Sequence, residues 1–463
     1  MAVDTPHNGV MRVLTWPVPG AVDPEAVFAA RWRDAPAAFW LDTGGPVAGT
    51  SYLGAASWST TAEEIRETGQ DVFSWLRAER ARWDVDTAEA PAGFALGLVG
   101  WLGYEMYADT LGLSAPHSRR HPEALFMRVD RALAVDHVTG QARLMARGDD
   151  WTGELAAWRD AMLESIASTQ SSGAFLPDAT NARDAAAAPS PVRWRYSDAD
   201  YEARIRACQQ AIADGDAYVL CLTTEVAVDG EFDPWDVYRR LRRTSPTHHG
   251  AYLRADGVAL LSATPEQFLL VTPDGIASTK PIKGTRPRGR TPEEDAALAE
   301  ELRTSEKERA ENVMIVDLMR NDLSRVSEVG SVEVTKLLDV ETYPPVHQLV
   351  STVTGRIREG LDAVDVIRSC FPAGSMTGAP KRSAVTILSR LEARSRGVYS
   401  GAFGYLGYDG RVDLAMTIRS IVIDAAGATI GTGGGITALS DPAEEVEEAR
   451  LKAAVLLRAL GAG

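Results

Sequence analysis

Five basic side chains stand close together in one short stretch of a chain that is acidic as a whole. The formal net charge is −16, yet residues 278–290 (STKPIKGTRPRGR) hold Lys280, Lys283, Arg286, Arg288 and Arg290. Lys283 is the unusual member because it lies between Ile282 and Gly284, where a small or apolar residue packs more easily. One interpretation is a solvated basic loop. The other is a lysine kept uncharged by its surroundings, so that its amine can act as a nucleophile.

Carboxylates occur in matched pairs on two segments with helical apolar spacing, residues 305–323 and 439–460. Each pair is spaced i, i+3 and so shares a helix face: Glu308 and Glu311 in the first segment, Glu445 and Glu448 in the second. Taken alone, either pair could be an ordinary exposed acidic turn. Two pairs that converge could instead bind a hard divalent cation such as Mg²⁺, which prefers few carboxylates, several waters and an anionic substrate. No His/Cys cluster has zinc-site spacing.

Two glycine-rich segments are candidates for anion binding. Residues 431–437 (GTGGGIT) directly precede the second acidic helix, and consecutive glycines let backbone N–H groups approach a ligand. A flexible hairpin turn is the alternative. Residues 371–388 form a second such turn before a helix, but they lack the GxxxxGK[ST] spacing of a phosphate-binding P-loop.

Composition excludes several classes of protein. The excess of acidic groups repels nucleic acid backbones, so we expect no nucleic-acid partner. The opening stretch MAVDTPHNGVMRVLTW lacks a secretory signal pattern, and no apolar run has the length of a membrane span. The three cysteines, Cys208, Cys221 and Cys370, form no CxxC pair. These features predict a reduced, cytoplasmic protein without a membrane partner.

The chain divides at a segment rich in Ser, Ala, Pro and Asp, residues 165–191, which predicts a flexible linker. We therefore expect an N-terminal region over residues 1–190 and a second region over residues 191–463. After the linker, β-branched strands come in hairpin-like pairs, and helices do not follow every strand. This order favours an α+β fold with antiparallel sheets over a doubly wound parallel sheet.

Six motifs in order carry a resemblance to a known family. They are ATPEQF, KPIKGTRPRG, AENVMIVDLMRNDL, FPAGSMTGAPK, YSGAFGYLGY and GTGGGITALSDPAEEVEEARLK. Together they resemble the chorismate-utilising enzymes, densely over residues 196–456 and only loosely before that. The resemblance implies an anthranilate synthase component I-like fold, with antiparallel sheets packed in a sandwich and helices outside. It implies that residues 191–463 form the chorismate-binding catalytic region.

Within this family, Lys283 is typical of the branch that aminates chorismate at C4, the aminodeoxychorismate synthases, whereas anthranilate synthases carry alanine in this motif. The resemblance implies that Lys283 attacks ring carbon C2, that Glu266 protonates the leaving hydroxyl, and that His347 lies near that hydroxyl. We expect burial and the neighbouring cations Lys280 and Arg286 to lower the pKa of Lys283.

The same resemblance implies a substrate and metal site. Mg²⁺ would be held by Glu311 and Glu448, with Glu308 and Glu445 nearby, and would bridge to the ring carboxylate. The remaining substrate-binding residues would be Tyr399, Arg419, Gly434, Gly435, Lys452 and, more weakly, Ser375. Arginine suits a carboxylate because its planar fork can pair with both oxygens.

Two positions depart from the family pattern. The usual SPE motif begins with Thr264 here, although Glu266 is retained. We align Val219 with the lysine base of relatives that add water at C2, and valine cannot activate water. Because none of the three cysteines lies in a Gly-flanked elbow, we expect a separate glutamine amidotransferase subunit to supply ammonia.

Three alternatives remain open at this point. The first is an anthranilate synthase component I, which releases anthranilate and pyruvate. The second is a relative that makes 2-amino-2-deoxyisochorismate. The third is a non-catalytic chorismate-binding homologue, against which the retention of Lys283, Glu266 and the four glutamates argues.

Overall fold

Two large antiparallel sheets face each other in the computed structural model, which describes residues 11–43, 49–116, 120–172, 191–343 and 346–462. The strands are β1 (Arg12–Val18), β2 (Ala38–Asp42), β3 (Thr50–Ala55), β4 (Trp58–Thr61), β5 (Gly97–Leu102), β6 (Ala124–Val129), β7 (Arg131–Asp136), β8 (Ala142–Gly148), β9 (Val192–Trp194), β10 (Val219–Val228), β11 (His249–Ala255), β12 (Val258–Thr264), β13 (Gln267–Val271), β14 (Ile276–Thr279), β15 (Ile282–Pro287), β16 (Glu333–Thr342), β17 (Val346–Arg356), β18 (Gly378–Ala379), β19 (Ala402–Gly407), β20 (Val412–Met416), β21 (Ser420–Asp424) and β22 (Gly427–Ile436).

Helices cover the outer faces of the sheets. They are α1 (Pro24–Arg31), α2 (Ala62–Glu67), α3 (Val72–Arg80), α4 (Tyr107–Leu111), α5 (Gly153–Ser172), α6 (Asp198–Ala213), α7 (Pro234–Thr244), α8 (Pro292–Thr304), α9 (Glu306–Ser324), α10 (Ala363–Cys370), α11 (Lys381–Glu392) and α12 (Pro442–Leu460). Short 3₁₀ turns cover Tyr104–Met106 and Gly374–Met376. No helix in these ranges is both long and apolar enough to cross a bilayer.

The first sheet has the strand order β1-β8-β7-β3-β2-β11-β12-β21-β22-β10-β18, with β9 also paired to β10. The second has the order β15-β17-β14-β13-β20-β19-β5-β6-β4, with β16 also paired to β17. Strand alternation divides the apolar residues between one core that lies between the sheets and two cores beneath the outer helices. Phe39 and Val99 lie between the sheets, whereas their neighbours Trp40 and Leu98 face the outer helices. The expected α+β sandwich with helices outside is therefore confirmed.

Both sheets draw strands from both sequence regions. In the first sheet β2 pairs with β11, placing Trp40 opposite Tyr252, and in the second β5 pairs with β19, placing Gly100 opposite Gly404. The division into residues 1–190 and 191–463 stays a prediction about sequence regions, because each sheet runs across that boundary.

The predicted linker is partly wrong. Residues 165–172 continue α5 as regular helix, because Met162 and Ile166 on its inner face pack into the core beneath the first sheet. Gln170 also donates a hydrogen bond of 2.7 Å to the carbonyl of Ala21. Residues 173–190 of the predicted linker, like residues 1–10 of the opening stretch, lie outside the described residues.

Substitution of Trp235 tests the core between the first sheet and its outer helices. Its ring is 1% exposed and stacks on Phe28, with 4.7 Å between ring centroids. We expect Trp235→Ala to lower the free energy of unfolding by about 3–5 kcal/mol, because it leaves a cavity in a closely packed core. Urea titration followed by circular dichroism measures the loss. Trp58→Ala is the control, since that ring is 42% exposed, and a loss as large as that of Trp235→Ala would contradict the assignment of the core.

Candidate active site

A cavity of about 490 Å³ opens where β10, β15, β17 and β22 meet the helices α9 and α12. We call it the main cavity. It gathers twelve of the thirteen site residues expected from the sequence: Glu266, Lys283, Glu308, Glu311, Ser375, Tyr399, Arg419, Gly434, Gly435, Glu445, Glu448 and Lys452. These residues are separated by as much as 186 positions in the chain, so the fold alone brings them together.

Lys283 enters the cavity from an irregularity in β15. The pairing of β15 with β17 shifts register between Ile282 and Thr285, so Lys283 and Gly284 form a bulge. Gly284 has φ +85, and a Cβ there would lie 2.7 Å from Leu302. A bulge re-aims a side chain out of the regular alternation of a strand. This explains why glycine follows the lysine.

The ammonium of Lys283 makes no hydrogen bond or ion pair with any described residue, yet it lies among acidic groups. Burial lowers the pKa of Lys283, but the attraction of Glu311, Cys221, Glu266 and Glu448 outweighs it, and the net shift is upward. The expected lowering of this pKa is therefore wrong for the protein alone.

The cations expected to lower that pKa act elsewhere. Arg286 is neutralised by Glu301 at 3.1 Å and Glu308 at 3.5 Å. Lys280 is absent from the residues that line the cavity. Carboxylates thus dominate the electrostatic environment of the amine.

Glu266 lies next to Lys283 at the start of β13 and is 7% exposed. Burial raises the pKa of its carboxyl to about 7, although a hydrogen bond from Ser375 and the charge of Lys283 pull it down. A carboxyl group in this range can be protonated or ionised near neutral pH, which is what a general acid requires.

The two acidic helices meet in the cavity as expected. Ser305 caps α9 and Asp441 caps α12, which sets where each helix begins and which turn faces inward. Glu445 is 6% exposed and accepts a hydrogen bond of 2.8 Å from Ser440. Glu448 pairs with Lys452 at 2.6 Å.

Glu311 is the carboxylate of this group that lacks a partner among the described residues. Burial raises its pKa, and Glu308 and Glu445 raise it further, while Lys283 lowers it. A half-buried, unpaired carboxylate among other carboxylates is a position that a cation stabilises.

The donor set fits Mg²⁺ but is not a preassembled metal cluster. Within the described ranges, no three His, Cys, Asp or Glu side chains converge closely enough to hold an ion by themselves. Mg²⁺ is commonly held by one or two carboxylates, with waters and an anionic substrate completing the shell. Glu311 and Glu448 could supply those carboxylates, with Glu308 and Glu445 beside them.

Tyr399 and Arg419 also line the main cavity. Arg419 has φ +50, an uncommon conformation for arginine, and its guanidinium makes no ion pair with any described residue. Burial lowers its pKa, while Tyr399 and Glu448 raise it in part. The Tyr399 hydroxyl likewise has no hydrogen-bond partner in the described ranges. An unpaired, half-buried guanidinium beside a free hydroxyl suits a carboxylate ligand.

The glycines of β22 let other groups approach its backbone. A Cβ at Gly431 would lie 2.0 Å from Cγ of Tyr399, and one at Gly434 would lie 2.7 Å from Oε2 of Glu445. At Gly435 it would lie 3.5 Å from Nζ of Lys283. Lys452 is held here as well, donating a hydrogen bond of 2.8 Å to the carbonyl of Gly433.

The predicted role of His347 is not supported by its position. Its two ring nitrogens contact Thr342 and Asp295, each at 2.8 Å, and it does not line the main cavity. Because side chains alternate along β17, the next residue, Gln348, faces the cavity instead. The sequence marked this strand, but it did not show which of the two polar neighbours faces inward.

The main cavity also contains residues that the sequence did not predict as site residues. Cys221 lies opposite Gly435 on β10, and Lys307 stands one turn before Glu311 on α9. Alternation along β10 places Val219 on the same face as Cys221. A methyl group of Val219 lies 3.6 Å from the Cβ position of Gly435, near the amine of Lys283. The wall around the amine is therefore partly apolar.

Comparison with known proteins identifies the family. The profile of a family described as chorismate binding enzyme matches residues 36–458, most of the chain. The chain belongs to the chorismate binding enzyme family. The match includes every residue named above as lining the main cavity.

Two kinds of relative are similar over nearly the whole chain. An aminodeoxychorismate synthase of Streptomyces griseus is 42% identical over 97% of the chain, and the chain spans 64% of the length of that relative. Anthranilate synthase component 1 of Streptomyces coelicolor is 37% identical over 95% of the chain and 87% of its own length.

Solved structures agree on the fold of this chorismate binding enzyme. Anthranilate synthase component I from Streptococcus pneumoniae superposes with a TM-score of 0.71 at 25% identity, covering 98% of this chain and 94% of that one. MenF, the menaquinone-specific isochorismate synthase from Escherichia coli, gives a TM-score of 0.69 at 17% identity, covering 98% and 95%. The anthranilate synthase component I-like fold is therefore confirmed.

The raised pKa of Glu266 predicts a pH-dependent stability. Between the unfolded pKa near 4.5 and the folded pKa near 7, the folded state binds more protons than the unfolded state, so this group lowers stability as pH rises. We expect Glu266→Gln to remove that penalty. The free energy of unfolding of the variant, relative to the parent, should rise by on the order of 2 kcal/mol between pH 5 and pH 8.

Urea titrations at several pH values measure this difference. The control is Glu447→Gln, on an exposed position of α12 outside the main cavity, and the rise for Glu266→Gln should exceed any change in the control over the same range. A constant difference for Glu266→Gln would contradict a raised pKa at Glu266.

Proposed function

We propose that this protein aminates chorismate at C4, using ammonia, to give 4-amino-4-deoxychorismate, the precursor of 4-aminobenzoate and folate. The observation that carries the proposal is that the amine of Lys283 shares one cavity with two acidic helices and an unpaired arginine. Identity of 42% to an aminodeoxychorismate synthase supports it.

The cavity suits the two carboxylates of chorismate. The pyruvyl carboxylate pairs with the guanidinium of Arg419 and the hydroxyl of Tyr399. The ring carboxylate lies at the acidic helices, where Glu311 and Glu448 would hold Mg²⁺. Bound Mg²⁺ supplies positive charge that offsets the repulsion between those glutamates and the ring carboxylate. The ring then lies between these anchors, with C2 toward Lys283.

One proton transfer prepares both catalytic groups. Glu266 raises the pKa of Lys283, and Lys283 lowers the pKa of Glu266, so the two groups interact. Movement of a proton from the ammonium to the carboxylate yields a neutral amine and a carboxylic acid. These are the nucleophile and the general acid that the reaction needs.

The reaction then follows in two displacements. The amine nitrogen of Lys283 bonds to C2, both conjugated ring double bonds shift by one position toward C4, and the C4–O bond breaks as Glu266 protonates the hydroxyl, which leaves as water. Ammonia next bonds to C4, both double bonds shift back, and the C2–N bond breaks. The electron pair returns to Lys283 and ammonia's surplus proton passes to Glu266. The enol-pyruvyl ether is retained.

We propose that a glutamine amidotransferase supplies the ammonia. The three cysteines of this chain are all free and buried. Burial raises the pKa of each thiol, that of Cys208 to about 12, which disfavours the thiolate that a glutaminase requires. Three reduced thiols also fit the cytoplasm. Apolar Val219 near the amine offers no base for water, which favours amination over hydroxylation.

Product identity decides between this proposal and its alternatives. We expect the enzyme to convert chorismate, in the presence of Mg²⁺ and ammonium chloride, to 4-amino-4-deoxychorismate without releasing pyruvate. Chromatography with mass detection identifies the product. Lys283→Ala should lower kcat by at least about 100-fold, since removing an activated nucleophile removes the covalent step. The control, Lys336→Ala, changes a lysine that is 52% exposed and outside the cavity.

Three outcomes would contradict the proposal. Fluorescent anthranilate with pyruvate would identify an anthranilate synthase, and no turnover of bound chorismate would favour a non-catalytic homologue. Unchanged kcat in Lys283→Ala would exclude a covalent intermediate, which mass spectrometry of acid-quenched enzyme otherwise detects as an adduct on the peptide containing Lys283.

The metal assignment is tested by binding as well as by activity. Calorimetric titration with MgCl₂ should show affinity falling at least about 10-fold in Glu311→Gln, because the variant loses a charged ligand. Glu306→Gln provides the matched control, since Glu306 is exposed on the same helix and does not line the cavity. Equal affinity in the two variants would place the ion elsewhere.

A further inference from the structure

A second cavity of about 250 Å³ adjoins the main cavity. We call it the rear cavity. Tyr399 and Gly431 line both cavities, and the close contact between them makes the tyrosine ring the partition. The polar groups of the rear cavity that matter here are Arg120, His121, Arg195, Glu225, Arg394 and Thr417. None of them belongs to the main cavity.

Two of these basic residues are already neutralised. Arg120 holds Asp424 with two hydrogen bonds of 2.6 Å, and His121 contacts the same carboxylate at 3.0 Å. Burial lowers the pKa of His121, so its ring is neutral near pH 7. A further arginine in the wall, Arg396, is fully buried against Glu392 at 2.6 Å. These groups shape the cavity without leaving a free charge.

Arg394 is only partly satisfied. The nearest carboxylate, Glu225, is 3.8 Å away, and one guanidinium nitrogen donates to the hydroxyl of Thr223 at 3.1 Å. Its Nε is buried without a hydrogen-bond partner, and so is Oγ1 of Thr417. Buried polar groups are normally paired, so two unpaired ones in the wall of a single cavity indicate a missing partner.

Arg195 supplies a charge that nothing balances. It follows β9, and its backbone N–H donates to the carbonyl of Glu225 at 2.9 Å, which fixes it at the rim. Its exposed guanidinium has no hydrogen bond or ion pair with a described residue. Four guanidiniums line the rear cavity, and three carboxylates, those of Asp424, Glu225 and Glu392, pair with them, so one guanidinium has no carboxylate partner. Glu105 instead accepts hydrogen bonds from the backbone N–H groups of Arg396 and Gly397.

We propose that the rear cavity binds a small monocarboxylate, held by Arg195 and Arg394 behind Tyr399. One excess positive charge matches one carboxylate, whereas a phosphate dianion would leave negative charge uncompensated beside Glu225. Two guanidiniums offer the paired donors that a planar carboxylate accepts. A cavity of about 250 Å³ has room for a small organic acid.

A ligand in this position contacts the back of the tyrosine whose front faces the main cavity. Occupancy would restrict the movement of Tyr399 and so couple the rear cavity to substrate binding. This assignment does not depend on the reaction proposed above.

The test uses trifluoroacetate as the monocarboxylate probe, observed by ¹⁹F NMR on the full chain. Every protein in this experiment carries Arg419→Gln, because this substitution removes the unpaired guanidinium of the main cavity as a competing site for the probe. Adding Arg195→Gln should weaken probe binding at least about 10-fold, since a charge-assisted pair is lost. Adding Arg193→Gln should change it less than about 2-fold, because Arg193 is exposed near Arg195, pairs with Asp229 and does not line the cavity.

Competition at constant ionic strength tests the ligand class. Acetate and pyruvate should displace the probe at lower concentration than phosphate or glycine. Equal binding with and without Arg195→Gln would overturn the site, and stronger displacement by phosphate or glycine would overturn the monocarboxylate assignment.

Thermal unfolding checks that each variant is folded. Arg195→Lys, which keeps the charge but not the planar fork of the guanidinium, should give an intermediate affinity. If Arg195→Gln fails to fold, unchanged binding in Arg195→Lys overturns the site.

Discussion

The balance of charge around the amine of Lys283 is the constraint on which the site depends. A lysine in an acidic cavity is attracted by its surroundings and holds its proton more tightly, as the upward shift of its pKa shows. Glu266 experiences the opposite influence, because burial favours its neutral form while the nearby ammonium favours the ionised one. The two groups therefore compete for one proton. A cation that neutralises Glu311 and Glu448 would change which of the two groups holds that proton.

The fold creates this balance by joining distant segments. The amine comes from a bulge at the edge of the second sheet, the neighbouring Glu266 from the start of β13, and the four cavity glutamates from helices that pack on different sheets. The glycine-rich β22 allows these groups to come close, since side chains at its glycines would occupy the space they share. Glycine is thus used here for close approach of other groups to the backbone.

The sequence predicted much of this arrangement, for identifiable reasons. Helical spacing placed Glu308 with Glu311 and Glu445 with Glu448, and capping residues marked where both helices begin. The resemblance supplied the remaining residues, and the main cavity gathers nearly all of them.

The failures concern information that a local pattern does not hold. The resemblance placed His347 near the substrate, but alternation identifies two faces of a strand without showing which one faces inward, and here Gln348 lines the main cavity. The pKa of Lys283 depends on neighbours that are distant in the sequence. The sequence alone therefore did not show that Glu311 and Glu448 influence this pKa more than Arg286 does. The composition of residues 165–172 predicted a linker, but these residues form the end of α5. Met162 and Ile166 anchor that helix through tertiary contacts, which a local composition does not reveal.

The sharing of both sheets between the two halves of the chain has a consequence for how the protein is made. Until β11 and β19 emerge from the ribosome, β2 and β5 each lack a neighbour, and unpaired strand edges invite association with other chains. The N-terminal half must therefore wait, incompletely folded, for the second half to be synthesised. Long-range pairing of this kind closes slowly, so the nascent chain would benefit from chaperones that shield those edges.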